Sequence, residues 1–364
     1  MSAFDLGFTH LLRQAWELGA SDVHVEPQLD ESLQIRMRLD GRLQTWRRIE
    51  DAARARRFAE VIKRCTGCDT GKLGVPQDVR FGTEEPPCDF RVALVPSLVA
   101  EKFVLRLLPR QLSFDLDAYR MPGVAKTALR TALTKRDGII VVSGPTGSGK
   151  TTLLYNALAA LNADDQAIYT LEDPVEYRLP GLTQSQVDRE RGIGFAQLLR
   201  SLMRADPDVI LVGEIRDAET AEAAFHAAKT GHLVLTTVHA TDTAQIRERL
   251  EDLGVSPAAF GATVQFASAQ RLLPRVCEEC RVFDEDGLRL LEAAHPGVRA
   301  SYRGVGCEAC GGSGTAGRVL LMGWQRRRPD EGGRSVLELE QSLRASVRSA
   351  AEEGVVRAVD AAGL

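Results

Sequence analysis

The sequence predicts an α/β fold, a largely parallel sheet with helices between its strands, preceded by a small α+β domain. Three observations carry this reading. Apolar runs at 138–144 (GIIVVSG), 167–173 (AIYTLED), 208–214 (DVILVGE) and 232–238 (HLVLTTV) alternate with helical segments, as buried strands joined by crossovers do. A glycine-rich stretch, GPTGSGKTTL at 144–153, joins the first run to a helix. Before residue 108 the pattern changes to short alternating strands and a hairpin.

In chain order, Phe8, Leu11, Leu12, Ala15 and Trp16 recur at helical spacing, and Gly19 closes that helix. DVHVEP follows as a strand. LQIRMRLDGRLQTW alternates Leu33, Ile35, Met37 and Leu39 with polar residues and turns at Asp40-Gly41, a hairpin signal. Residues 51–64 read as a basic amphipathic helix, and CDFRVALVP and EKFVLRLLP as two further strands. This bounds a first domain at 1–108. Residues 109–122, with a proline at each end, read as a linker. The α/β domain spans 123–275, a cysteine-bearing element 276–316, and a C-terminal strand and helical tail 317–364.

Composition narrows the function classes. The 364 residues are 44% hydrophobic and 26% charged, the profile of a globular protein. A net charge of -4 and a pI near 6.0 call for no polyanionic partner, so no nucleic acid is expected. MSAFDLGFTHLL lacks the marks of a signal peptide, and no apolar run is long enough to span a bilayer. The expectation is a cytoplasmic protein, peripheral at the inner membrane through partners only.

Gly144-x-x-x-x-Gly149-Lys150-Thr151 lies between a strand and a helix, the context a phosphate-binding loop requires. Gly144, Pro145, Thr146, Gly147, Ser148 and Gly149 would turn backbone N–H groups toward the phosphates of ATP, and the helix beginning with Lys150, Thr151 and Thr152 adds its positive N-terminus. Lys150 would reach the terminal phosphates and the Thr151 hydroxyl would bind Mg²⁺. In DPDVILVGEIRD the strand Val209–Val212 leads to Glu214, a carboxylate placed to orient an attacking water. The plainer alternative is a surface glutamate after a buried strand.

Cys277-x-x-Cys280 and Cys307-x-x-Cys310 form a paired-knuckle pattern of four soft thiolates, the donor set of a closed structural zinc site. EDGLRLLEAA between them reads as a helix. Cys65-x-x-Cys68 has no second pair nearby, and with Cys88 is read as packing cysteines.

Together these stretches resemble the secretion ATPases of type II secretion and type IV pilus assembly. GPTGSGKTTL is similar to the family's phosphate loop, YTLEDPVEY to its acidic box, LMRADPDVILVGEIRD to its second motif, where glycine before glutamate is normal, and TGHLVLTTVHATD to its histidine box. SDVHVEP, RMRLDGRL, PQDVR, DFRV, EKFVLRLL and QRLLPRVC extend the likeness over nearly the whole chain. The resemblance implies a RecA-like ATPase domain, a PAS-like first domain, and a ring of six copies working with an inner-membrane platform protein. It implies roles for Glu172 and Glu176 around Mg²⁺ and water, for His239 at the γ-phosphate or a neighbouring subunit, and for Arg80, Arg91 and Arg106 as guanidinium groups brought to the phosphates. Taken alone, the plainer alternatives are turn carboxylates for the two glutamates, a structural histidine for His239, which the residue by itself favours, and partners of surface acids for the arginines. His232 is the weaker histidine candidate, and Arg36 and Arg38 read as a solvated face.

Departures from the family's pattern touch coupling more than hydrolysis. Val79 and Ala100 stand where glycine is common, and the chain is expected to begin at the PAS-like domain without the further docking domain of longer members. The tetracysteine element, frequent in assembly ATPases and generally lacking in retraction ATPases, points to assembly. A retraction or DNA-translocating motor, and a low-turnover nucleotide-binding regulatory subunit, are the competing readings.

Overall fold

The computed structural model describes residues 3–110, 114–329 and 335–362. It divides into two compact units, Met1–Ser113 and Phe114–Leu364.

The first unit is a six-stranded sheet with two helices. Its strands are β1 (Asp22–Pro27), β2 (Leu33–Leu39), β3 (Arg42–Ile49), β4 (Gln77–Thr83), β5 (Cys88–Pro96) and β6 (Glu101–Pro109). They lie in the order β3-β2-β1-β6-β5-β4, each antiparallel to its neighbours. Period-two alternation sends Val23, Val25, Ile35, Met37, Phe90, Val92, Phe103 and Leu105 to one face. That face packs against Phe8, Leu11 and Leu12 of the helix Ala3–Glu17 and against Phe58, Val61 and Ile62 of the helix Ala52–Thr66. Asp51 caps the second helix by accepting from the Arg54 N–H at 2.8 Å.

The opposite face is charged, and strand register orders it. Arg38, Asp22, Arg106, Arg91 and Arg80 align laterally across β2, β1, β6, β5 and β4. Buried Asp22 accepts from Arg106 Nε at 3.0 Å and stands 3.6 Å from Arg38 Nε. Arg91 Nε donates to Asp78 at 3.0 Å. Arg36 is tied to Glu26 at 2.6 Å, so Arg36 and Arg38 are ion-paired on this face rather than merely solvated. Cys68 and Cys88 are buried in the core, while Cys65 is exposed.

The second unit is a three-layer α/β/α sandwich. Its strands are β7 (Gly138–Ser143), β8 (Ile168–Glu172), β9 (Thr183–Gln186), β10 (Val209–Val212), β11 (Leu233–Val238), β12 (Val264–Val276), β13 (Arg281–Phe283), β14 (Tyr302–Gly304), β15 (Thr315–Pro329) and β16 (Ser335–Gln341). The main sheet runs β16-β15-β12-β7-β11-β10-β8-β9; β12 through β9 are parallel, and β15 and β16 continue the β12 side antiparallel. Helices Gly123–Leu133 and Lys150–Leu161 cover one face, packing on Ile140, Val142, Leu211 and Leu235. Helices Phe195–Leu202, Ala218–Lys229 and Thr243–Asp252 cover the other, packing on Ile139, Val141, Ile210 and Val234. Burial on both faces is why these strands read as continuous apolar runs.

Of the span expected as a linker, Pro109 closes β6, 111–113 lie outside the described residues, and Phe114 and Leu116 pack in the second unit's core. β4, β9, β12, β13, β14 and β16 were not read as strands in the sequence; β4, β9 and β16 lie at sheet edges, and β12 interrupts its apolar residues with Gln265, Ser268, Gln270 and Arg271. Among the described residues no helix is long and apolar enough to cross a membrane.

Glu26 supplies a test of the charged face. Burial opposes its ionisation, but hydrogen bonds from Arg36 and Lys102 outweigh that and bring its pKa from 4.5 to about 2. A depressed carboxylate stabilises the fold above its unfolded pKa and loses that contribution as pH falls through the folded one. The stability gap between parent and Glu26→Gln, measured by urea unfolding, is therefore expected to be full above about pH 4.5 and to shrink toward pH 2.

Candidate functional site

Parallel pairing brings the ends of β7, β11, β10 and β8 side by side. The chain leaves β7 through Gly144 at φ 144°, where a Cβ would sit 2.5 Å from both Gln270 O and Ser148 Oγ, so no side chain fits there. The loop 144–149 then enters the helix Lys150–Leu161. β12 steadies it from the side: Gln270, fully buried, donates from Nε2 to Ser148 O at 2.8 Å. Lys150 Nζ donates to Gly144 O at 2.9 Å and Pro145 O at 3.0 Å, which places the ammonium over the mouth of the loop. Burial lowers the Lys150 pKa, while the charges of Glu214 and Glu176 act on it in the opposite sense. Thr151 is half-buried and Thr152 exposed at the start of the helix.

Glu214 follows β10 with its side chain 13% exposed, gripped by Arg216 Nη2 at 2.5 Å and approached by His239 Nε2 at 3.4 Å. His239, just past β11, is itself 53% exposed, so this pair opens to solvent on the histidine side. Gly213 relieves a close approach: a Cβ there would stand 3.1 Å from Leu171 O of β8, a tight contact. Thr237 Oγ1 donates to Gly213 O at 2.7 Å and locks the strand end that presents Glu214.

Glu172 has a different environment. Its carboxylate is buried and accepts from the Tyr155 hydroxyl, from Thr170 Oγ1 at 2.6 Å and from Gln184 Nε2 at 3.1 Å. Three donors meet its two oxygens, so the buried carboxylate is hydrogen-bonded without help from solvent. Glu176 is exposed, and its charge reaches both Lys150 and Tyr155. Lys150, Glu214, Glu176 and His239 thus share one region of the second unit. Arg80, Arg91 and Arg106 form their own lateral row in the first unit. His232 sits in the turn before β11, with Nδ1 2.9 Å from Ala227 O.

Sequence reasoning passed over Tyr155, Gln184, Gln270 and Arg216. None of the four carried a local signal: Gln270 is one of several polar residues in VQFASAQRLLPRV.

A family model described as Type II/IV secretion system protein matches residues 6–361. The chain belongs to this family. It is 37% identical over 365 aligned residues to the type IV pilus assembly ATPase PilB of Thermus thermophilus, covering 96% of this chain and 41% of that protein. It is 40% identical to the type II secretion system protein HxcR of Pseudomonas aeruginosa, covering 94% of this chain and 72% of that protein. Against type II secretion system protein E of Dickeya dadantii it is 39% identical, covering 85% of this chain and 62% of the relative. The chain therefore spans less than half of the first relative's length. Among solved structures, the Legionella pneumophila ATPase DotB aligns with a TM-score of 0.69 at 22% identity, covering 98% of this chain and 94% of that one. The pilus retraction motor PilT with bound ADP aligns at 0.62 and 22% identity, covering 97% and 95%. At these identities the likeness is one of fold.

This member of the type II/IV secretion family also carries a cysteine cluster. Cys277, Cys280, Cys307 and Cys310 hold their four sulfurs within 4.8 Å of one another. Cys277–Cys307, Cys280–Cys310 and Cys307–Cys310 separations are 3.8, 3.9 and 3.7 Å. A tetrahedron with metal–sulfur bonds of about 2.3 Å has edges of about 3.8 Å, so the cluster fits a tetrahedral ion. Backbone N–H groups of Cys307 and Gly314 donate to Cys310 Sγ at 3.2 Å, and with Cys307's N–H the leading cause its pKa is lowered to about 6. The Gly306 N–H serves Cys280 Sγ at 3.3 Å. β13 and β14 pair beneath the knuckles, and the intervening helix Glu285–Ala294 anchors the element through Leu291.

Tyr155→Phe tests the buried carboxylate. Removing one donor from Glu172 is expected to cost the second unit about 1–3 kcal/mol in denaturant unfolding, the usual penalty for a buried polar group short of a partner.

Proposed function

We propose that this chain is an ATP-hydrolysing motor that works as a homo-hexamer to drive assembly of a type IV pilus or a type II secretion pseudopilus. The observation that carries the reading is the meeting of Lys150, at the mouth of a phosphate-binding loop, with Glu214, held by Arg216 and His239 two strands away. Curated relatives named as pilus assembly ATPases support it. On this reading the second unit contains a RecA-like domain over 123–275, and the first is PAS-like.

The roles follow from charge and position. Loop N–H groups from Gly144 to Gly149, the helix N-terminus and Lys150 bind the phosphates of ATP. Glu214 orients the attacking water, His239 reads the γ-phosphate through its contact with Glu214, and Glu176 adds a carboxylate beside Lys150. Thr151 is the proposed magnesium ligand, and the ion when bound supplies charge neutralisation at the phosphate oxygens. Arg80, Arg91 and Arg106 are the proposed source of guanidinium charge during transfer. Cys277, Cys280, Cys307 and Cys310 are assigned to one structural zinc, which favours assembly over retraction, and the acidic pI disfavours a DNA-translocating role. The protein would act at the cytoplasmic face of the inner membrane, held there by a platform protein.

Lys150→Ala is expected to abolish nucleotide binding or turnover, and Glu214→Gln to retain ATP binding while lowering kcat on the order of 100-fold or more. Turnover by Glu214→Gln at the parent rate would remove Glu214 from its role. Elemental analysis is expected to find about one zinc per chain, and chelation or Cys307→Ser to destabilise the cysteine element; a stable, metal-free preparation would refute that assignment.

A further inference from the structure

The chain between β8 and β9, residues 173–182, contains neither helix nor strand, yet it carries Glu176. Its backbone is tied down by two side chains of the edge strand β9. Gln186 Oε1 accepts from the Val175 N–H at 3.2 Å. Gln184 Oε1 accepts from the Leu179 N–H at 2.7 Å, while its Nε2 donates to Tyr177 O at 3.0 Å and to Glu172 Oε1 at 3.1 Å. Two residues apart on one strand, both glutamines project to the same side.

These bonds bracket Glu176: one fixes the residue before it and another the residue after it. They also continue into the phosphate-loop helix. Gln184 shares Glu172 with the hydroxyl of Tyr155, which lies one helical turn beyond Thr151. Tyr177 packs edge-on to Tyr155 with ring centroids 6.1 Å apart and lies 5.9 Å from the ring of Phe114. An otherwise irregular segment is thereby referenced to the helix that opens at Lys150.

We propose that Gln184 and Gln186 are positioning residues, which hold segment 173–182 so that Glu176 is presented to the phosphate-loop lysine, with Glu172 as the buried anchor of Gln184. The inference deepens the ATPase reading and rests on it for the role of Glu176. Glu172, buried and already accepting from two hydroxyls and an amide, acts through this scaffold, and Glu176 is the acidic-box carboxylate that faces the reaction. Gln186 is exposed at the sheet edge and uses its carbonyl oxygen, so Glu at this position keeps the acceptor whereas Leu removes it.

Two measurements test this. In nucleotide-free protein, amide exchange of a peptide covering 173–179 is expected to rise roughly tenfold in Gln184→Leu and Gln186→Leu, with peptides from β7 and β11 unchanged. Unchanged exchange at 173–179 would overturn the tether whatever the protein hydrolyses. In steady-state ATPase assays, Gln186→Leu is expected to lower kcat on the order of tenfold with little change in KM, and Gln186→Glu to restore it. In a Glu176→Gln background, Gln186→Leu should cost nothing further; an equal loss in both backgrounds would show that the glutamine does not act through Glu176. A parent protein without ATP turnover would refute the ATPase reading and with it the role of Glu176, while the exchange measurement would still decide the tether.

Discussion

The candidate site depends on one constraint: adjacent parallel strands, buried on both faces, must all release the chain at the same edge of the sheet. β7, β11, β10 and β8 do so in sequence across the sheet, and the first residues beyond them are Gly144, His239, Gly213-Glu214 and Asp173. Loops leaving the carboxyl ends of parallel strands are where α/β proteins collect their ligands. Residues as far apart in the chain as Lys150 and His239 are brought together in this way, at helix starts and strand ends. The glycines serve this packing. Gly144 lets the loop turn against Gln270, and Gly213 lets β10 close on β8.

Identical residue types acquire different chemistry from their surroundings. Glu172 and Glu214 both follow apolar strand runs. Glu172 lies in a dry interior with hydroxyl and amide donors on its carboxylate, and it ties together the elements that supply them. Glu214 faces outward beside a guanidinium and a half-exposed imidazole. The first unit shows the same dependence on surroundings. Arg106 is held by a buried aspartate while Arg91 is held by an exposed one, although the two arginines are register partners. The cysteine element relies less on apolar burial. Its two short strands are largely exposed, and its shape is drawn by backbone donors converging on sulfur.

Much of the fold was legible because its signals are local. Runs such as GIIVVS and LVLTTV lack polar alternation and are buried at every position because both sheet faces are covered, whereas alternation in LQIRMRL implies one covered face. Strands without such signals were missed. TQSQ is a polar edge strand whose pairing comes from its neighbour β8, and QDVRFGT alternates only weakly. Within the site, the loop, its lysine and Glu214 were legible from spacing along the chain. Tyr155 and Gln184 carried no such signal, because their shared partner Glu172 lies more than ten positions away from each in the chain.

By itself, then, the sequence determined buried parallel strands, the glycine-rich loop between strand and helix, and the paired cysteine knuckles, since each is encoded in residues a few positions apart. Only the tertiary structure decided which glutamate is buried among donors and which meets a guanidinium and an imidazole, which backbone groups Gln184 and Gln186 bond, and that four arginines and an aspartate share one lateral row. Those outcomes follow from strand order and register, which are set by the packing of distant segments and leave no mark at any single position.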